Sequence, residues 1–246
     1  MSQTWLNQNG LIILLGILVT SQNHLAKALE RQGIEVFDML RARWKHTGEQ
    51  VEGQRRKPLI YTIGLILNHT TFIYHLLVAP LGGTTALYTG MYGLGLIVLL
   101  VYSTRVMKEE ITRLELVGAL LILAGSMVIG IESIYRPRLD MSMMDLNGTV
   151  SSLFILIGLA IPVMFWSLKN GSPNVIGLSF GLVAGCLGSM DPVLKGVGQS
   201  AGGVSTLPGT FAGWVVFLAS FLVGEMAVLT TQWAYIRRAR ANVLVP

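Results

Sequence analysis

The sequence predicts an all-α polytopic membrane protein, seven transmembrane helices of an inverted-repeat bundle. Three observations predict it. Only 13% of the 246 residues are charged and 52% are hydrophobic, with a mean hydropathy of +0.60, whereas a soluble domain usually carries about 25% charged residues. Seven apolar runs, roughly 10–29, 58–78, 84–104, 114–133, 149–168, 174–194 and 210–233, approach the ~20 residues that cross a bilayer. One polar pattern recurs in two of them. Ser21-Gln22-Asn23-His24-Leu25-Ala26-Lys27 and Ser189-Met190-Asp191-Pro192-Val193-Leu194-Lys195 both read Ser, x, Asn/Asp, x, aliphatic, x, Lys.

Span one is apolar from Leu11 to Val19, then polar from Ser21 to Lys27, so that end must turn toward protein or water. Met1 to Gly10 holds no Lys or Arg, unlike the charged start of a signal peptide, so the span is read as retained. Residues 30–57 form one long polar connection. Within it Ile34, Phe37, Leu40 and Trp44 recur at helical spacing beside Arg41 and Arg43, which fits a short helix on the membrane surface or a solvated loop. Residues 79–83 are a Gly/Pro turn, 105–113 a short charged turn, 134–148 a loop with Pro and Asp, 169–173 a Gly/Ser/Pro turn, and 198–209 a Gly- and Ser-rich connection. Gly90, Gly93 and Gly95 are spaced for close helix packing. A single cysteine, Cys186, lies in an apolar run and reads as a small buried residue, which leaves no intrachain disulfide.

The basic residues orient the chain. Of the 18, fifteen fall after spans one, three, five and seven, and only Arg136, Arg138 and Lys195 fall on the other side. The expected topology puts the N-terminus outside and the C-terminus in the cytoplasm, with the protein in the cell membrane. Spans one and six then run in opposite directions, so the two copies of the polar pattern are inverted. A second echo follows on the next spans: Thr70-Thr71-Phe72-Ile73-Tyr74 and Thr231-Gln232-Trp233-Ala234-Tyr235 both read Thr, x, aromatic, x, Tyr. The expected organisation is a single membrane domain, 1–246, with a first repeat of four spans at 10–133, a linking span at 149–168 and an incomplete second repeat at 174–246. Ala241 to Pro246 reads as the start of a further span, so the second repeat is expected to lack its last two helices.

Residues 79–133 carry a family resemblance. Ala79-Pro80-Leu81-Gly82-Gly83 precedes an apolar helix, then Met107-Lys108-Glu109-Glu110-Ile111-Thr112-Arg113, then a Gly118-Ala-Leu-Leu-Ile-Leu-Ala-Gly125 helix. This resembles the drug/metabolite transporter superfamily with its EamA-like repeat. The long connection after span one, and Gln232-x-x-Tyr235 followed by basic residues, are similar to the branch of NIPA-type magnesium transporters. The resemblance implies a transporter of a small metabolite or of Mg²⁺. Members of that branch tend to carry an acid where Asn68 and His69 stand here, a departure that weakens the divalent-cation reading.

Several residues are candidates for a solute or ion path. Asp191 in a span costs at least ~2.5 kcal/mol on insertion scales and marks a path, or else it pairs with Lys195 one turn on. Glu225 has no basic neighbour in its own run, so it must face a cavity, pair with another helix or stay protonated. Asn23, Ser189, Asn68, His69, Tyr88 and Gln232 complete the candidates. Each also fits plain helix packing. His24 and His75 titrate near neutral pH in principle, but each also fits a hydrogen-bonded core histidine. Asp191 and Glu225 are the candidate ligands of a metal ion, since Mg²⁺ keeps several waters and needs only one or two carboxylates. Lys27 is expected to snorkel to the cytoplasmic interface. Walker-type, Ser-His-Asp and Cys-His zinc patterns are absent, so no enzyme and no cofactor is expected. The expected partners are the lipid bilayer, a small solute or ion, and a second copy in a homodimer; nucleic acid is not among them. The leading expectation is a secondary transporter or facilitator working by alternating access. The alternatives are a divalent-cation transporter and a non-transporting membrane subunit or scaffold.

Overall fold

The computed structural model describes residues 3–44, 56–78, 90–135, 145–201 and 207–237. Among them are nine α-helices and no strand: α1 (Gln3–Gly33), α2 (Val36–Trp44), α3 (Lys57–Thr70), α4 (Phe72–Val78), α5 (Tyr92–Arg105), α6 (Arg113–Tyr135), α7 (Leu146–Asn170), α8 (Pro173–Ser200) and α9 (Phe211–Ile236). Tyr88, the 79–83 turn and the residues from 238 onward lie outside the described residues, and so does the side chain of His75.

Four helical stretches are long and apolar enough to cross a membrane: Gly10–Leu40, Arg113–Glu132, Pro173–Ser200 and Phe211–Ile236. They mark the chain as a membrane protein. Two shorter apolar helices, Tyr92–Arg105 and Phe154–Lys169, fall where spans three and five were expected. The expected second span, 58–78, is divided at Thr71 into α3 and α4. The cause is local. The Thr71 hydroxyl donates to the Asn68 carbonyl at 2.6 Å and the Thr70 hydroxyl to the Leu67 carbonyl at 3.0 Å. These groups compete with the backbone for the helix's own acceptors, which hydropathy does not register.

Where ends are capped, the caps follow ordinary chemistry. Asp145 Oδ1 accepts from the Asn147 amide at 3.0 Å, Ser172 Oγ from the Val175 amide at 3.2 Å and Thr210 Oγ1 from the Gly213 amide at 3.1 Å. Pro173 sits in the first turn of α8, where it loses no hydrogen bond, and Gly171 closes α7 with φ +44°.

Burial follows the logic of a lipid-facing protein. On α6 and α7, large apolar side chains such as Leu121, Val128, Phe154 and Leu159 are exposed, because hydrocarbon is as good a neighbour for them as another helix. Packing concentrates in α1, α3, α5, α8 and α9. One core joins Ala28, Leu96, Leu99, Ile176, Phe180, Ala234 and Tyr235 from α1, α5, α8 and α9. A second joins Ala160 of α7 with Val183, Leu187 and Leu194 of α8 and Val223 and Ala227 of α9. Close crossings depend on glycine. A Cβ on Gly64 of α3 would lie 2.8 Å from the Glu30 amide nitrogen and 2.9 Å from the Ala26 carbonyl oxygen of α1. Gly95 of α5 meets Thr20 and His24 of α1 in the same way, and Gly93 meets Ser126 of α6, as their spacing predicted. The short helix predicted near Trp44 is α2. Phe37 in it packs edge-to-face on Tyr61 of α3 with ring centroids 5.3 Å apart.

Gly64→Leu is expected to push α1 and α3 apart and lower stability by about 1–3 kcal/mol, read as a lower Tm in detergent micelles. Gly118→Leu on α6, where a Cβ has nothing within 4 Å, should leave Tm unchanged.

Candidate functional site

A cavity of about 600 Å³ lies between α1, α3, α8 and α9, with Tyr92 of α5 on one side. Its polar lining comes from Asn23, His24 and Lys27 of α1, Asn68 and His69 of α3, Thr71, Ser189, Asp191 and Lys195 of α8, and Glu225 and Thr231 of α9. The apolar part includes Phe72, Phe221, Ala184 and Val228. Gly181, Gly185 and Gly188 present bare backbone along α8. Both copies of the recurrent polar motif therefore face one space.

Each charged group has a definite setting. Lys195 Nζ donates to both Asp191 carboxylate oxygens at 2.5 Å, one helical turn away, and lies 4.5 Å from the centroid of the Phe221 ring. Lys195 itself is 5% exposed, so the pair is largely out of water and each charge depends on the other. Gly224 of α9 leaves the room that Asp191 occupies: a Cβ there would touch its carboxylate at 3.4 Å. Glu225 Oε1 lies 2.8 Å from His69 Nε2, and both side chains are about half exposed. Glu225 is thus paired with another helix, one of the three settings its isolation in sequence allowed. His69 Nδ1 in turn meets the Leu65 carbonyl at 2.8 Å. On α1, the Asn23 amide donates to the Tyr92 hydroxyl, and Asn23 Oδ1 is buried without a hydrogen-bond partner. His24 is buried, with Nδ1 2.8 Å from the Thr20 carbonyl oxygen. It is therefore one of the hydrogen-bonded core histidines, although its ring also borders the cavity.

Of the predicted site residues, the structure brings Asp191, Glu225, Asn23, Ser189, Asn68 and His69 to the cavity. Tyr88 lies outside the described residues. Gln232 does not line the cavity but binds just beyond it, where its Nε2 donates to Glu30 Oε2. Asp191 and Glu225, the candidate metal ligands, share the space, yet Lys195 already engages the first and His69 the second. Among the described residues no group of three His, Cys, Asp or Glu is placed to hold a metal ion.

Two residues differ from expectation. Lys27 does not snorkel away; it lines the cavity. The α1 helix continues to Gly33, beyond the predicted end at 29, so Lys27 is held inside the bundle instead of at its edge. Glu30, expected in the polar connection, is fully buried. Its Oε1 accepts from Asn68 Nδ2 at 3.0 Å and its Oε2 from Gln232, joining α1 to α3 and α9. The signal was present in spacing: Asn23, Lys27 and Glu30 recur at i, i+4 and i+7, one face of a helix. Ala28, on the same helix, belongs with Leu99, Phe180 and Tyr235 to the first core.

No family model, no curated protein and no solved structure matches the chain.

Removing one partner of the Asp191–Lys195 pair leaves a charge stranded in the bundle. Lys195→Met is expected to cost about 3–5 kcal/mol. The double change Asp191→Asn with Lys195→Met should recover most of that loss. Unfolding of the four proteins of this cycle in mixed micelles measures the coupling.

Proposed function

We propose that this chain is a secondary transporter or facilitator that moves a small solute across a membrane by alternating access, of the drug/metabolite transporter type. The observation that carries the reading is the polar cavity where two copies of one motif meet inside an otherwise apolar helical bundle. Polar and ionisable groups are costly in hydrocarbon, and a set of them turned onto one space fits a solute path. Duplicated transporters build their sites at the interface of the repeats, often from broken helices. The break at Thr71 beside Asn68 and His69 fits that pattern.

In this reading the two motifs are halves of an inverted repeat in a seven-span bundle, and the charge asymmetry of the connections puts the ends of α1 and α9 in the cytoplasm. The Glu30 clamp and the core around Phe180 and Tyr235 then seal the cytoplasmic side. The outer side is held across the repeats by His69 with Glu225 and by Phe72 with Phe221, whose ring centroids are 6.1 Å apart. Such contacts suit a gate that exchanges with the inner seal, since packed interfaces switch between discrete arrangements.

A divalent cation is the second reading, favoured by two carboxylates in one cavity. It is the weaker one, because Asp191 is neutralised by Lys195 and a further ammonium, Lys27, borders the same space.

Uptake and efflux by the full chain in proteoliposomes, with amino acids and Mg²⁺ in parallel, test the proposal. Asp191→Asn and Glu225→Gln are each expected to reduce transport by about tenfold or more, a barrier change of ~1.4 kcal/mol or greater. Unchanged transport in both variants would sink the assignment of this cavity.

A further inference from the structure

The two copies of the polar motif are unequal at one position, and that inequality bears on what the cavity holds. In α8, Asp191 neutralises Lys195. In α1 the matching position is Asn23, an uncharged side chain whose amide is turned to the Tyr92 hydroxyl. Lys27 therefore has the place of Lys195 without its counter-ion. It lines the cavity, and among the described residues it forms no hydrogen bond and no ion pair within 4 Å.

The other carboxylates near it are occupied. Glu30, three residues on, attracts Lys27, but its two oxygens accept from Asn68 and Gln232. Glu225 faces His69, and Asp191 is held by Lys195. An ammonium in a space walled partly by Phe72, Phe221 and Val228 interacts with a charge far more strongly than it would in water. A lysine left without a partner in such a place is a site for an anion. The anion's size and charge are bounded too. The cavity is of ligand size, within the roughly 300–1,000 Å³ of small-molecule sites. The carboxylates of Glu225 on its wall and Glu30 beside it repel a dianion such as phosphate, whereas one ammonium without a hydrogen-bonded acceptor suits a single carboxylate.

We propose that the cavity takes a small solute bearing one carboxylate, with or without an amino group. Its carboxylate binds Lys27 Nζ and its apolar body lies against Phe72 and Phe221. The inference rests on the transport reading and names the substrate class for it.

Binding and transport are measured separately on the full chain. In detergent, thermal stabilisation and calorimetric titration are run with short alkanoates, 3-phenylpropionate, leucine and phenylalanine. Each is set against its carboxamide, with phenethylamine, inorganic phosphate and MgCl₂ alongside. At least one carboxylate should bind, and its carboxamide should not. Lys27→Met should weaken that binding by about tenfold or more, while Lys27→Arg retains most of it; the Tm of each unliganded variant verifies its fold. Binding only by the amine, phosphate or Mg²⁺ would overturn the inference, as would no binding by any carboxylate or carboxylate binding unchanged in Lys27→Met. In proteoliposomes the two readings separate. A carboxylate that binds through Lys27 but is never moved overturns transport and leaves the site. Uptake of a cation that is unaffected by Lys27→Met leaves transport and removes the site.

Discussion

The carboxylate of Glu30 is the contact on which the arrangement of the helices depends. It is fully buried, and burial deprives a carboxylate of the solvation it has at a surface. A carboxylate so placed requires donors, and they come from two other helices: Asn68 on α3 and Gln232 on α9, the latter 202 residues away in sequence. Satisfying one acid thus brings together the first and last parts of the described chain. Gly64 lets α3 approach closely enough for Asn68 to reach, since its missing side chain leaves room for the backbone at Ala26 and Glu30. Around this polar knot the core of Ala28, Leu99, Phe180, Ala234 and Tyr235 excludes solvent, which strengthens the hydrogen bonds it surrounds.

The same requirement explains why both carboxylates on the cavity wall are paired. Asp191 and Lys195 are close along one helix, so α8 carries a salt bridge with little net charge. Glu225 finds His69 across the gap from a different helix. The first pair is a property of α8 alone. The second exists only while α3 and α9 face each other, so it reports on the relative position of the two halves of the bundle.

Much of this was legible from the residues. Low charge and long apolar runs announced a helical membrane protein, and the recurrence of Ser-x-Asn/Asp-x-aliphatic-x-Lys led to two of the helices that border the cavity. Asp191, Glu225, Asn23, Asn68 and His69 stood out because polar side chains are rare in such runs, and the structure gathers them. What escaped did so for definable reasons. Hydropathy windows end a span where polar residues begin, so Glu30 fell outside and Lys27 at the edge of a boundary that α1 crosses by several residues. The division of α3 from α4 at Thr71 depends on hydroxyl groups that compete for backbone acceptors, and an apolar average over 58–78 hides them. The count of seven spans rests on runs of similar apolarity. Four helices have the required length among the described residues, and α5 and the apolar part of α7 are shorter.

The glycines along α8 carry a last consequence. At Gly185 and Gly188 the cavity wall is bare main chain, and a Cβ added at either would meet nothing within 4 Å. The bore of the cavity at these points is therefore independent of the packing that holds the bundle together. A methyl or hydroxymethyl there would narrow the space without displacing a helix. Cavity width and structural integrity are thus written in different residues of one helix, and a lineage could adjust the first by single small substitutions while leaving the second untouched.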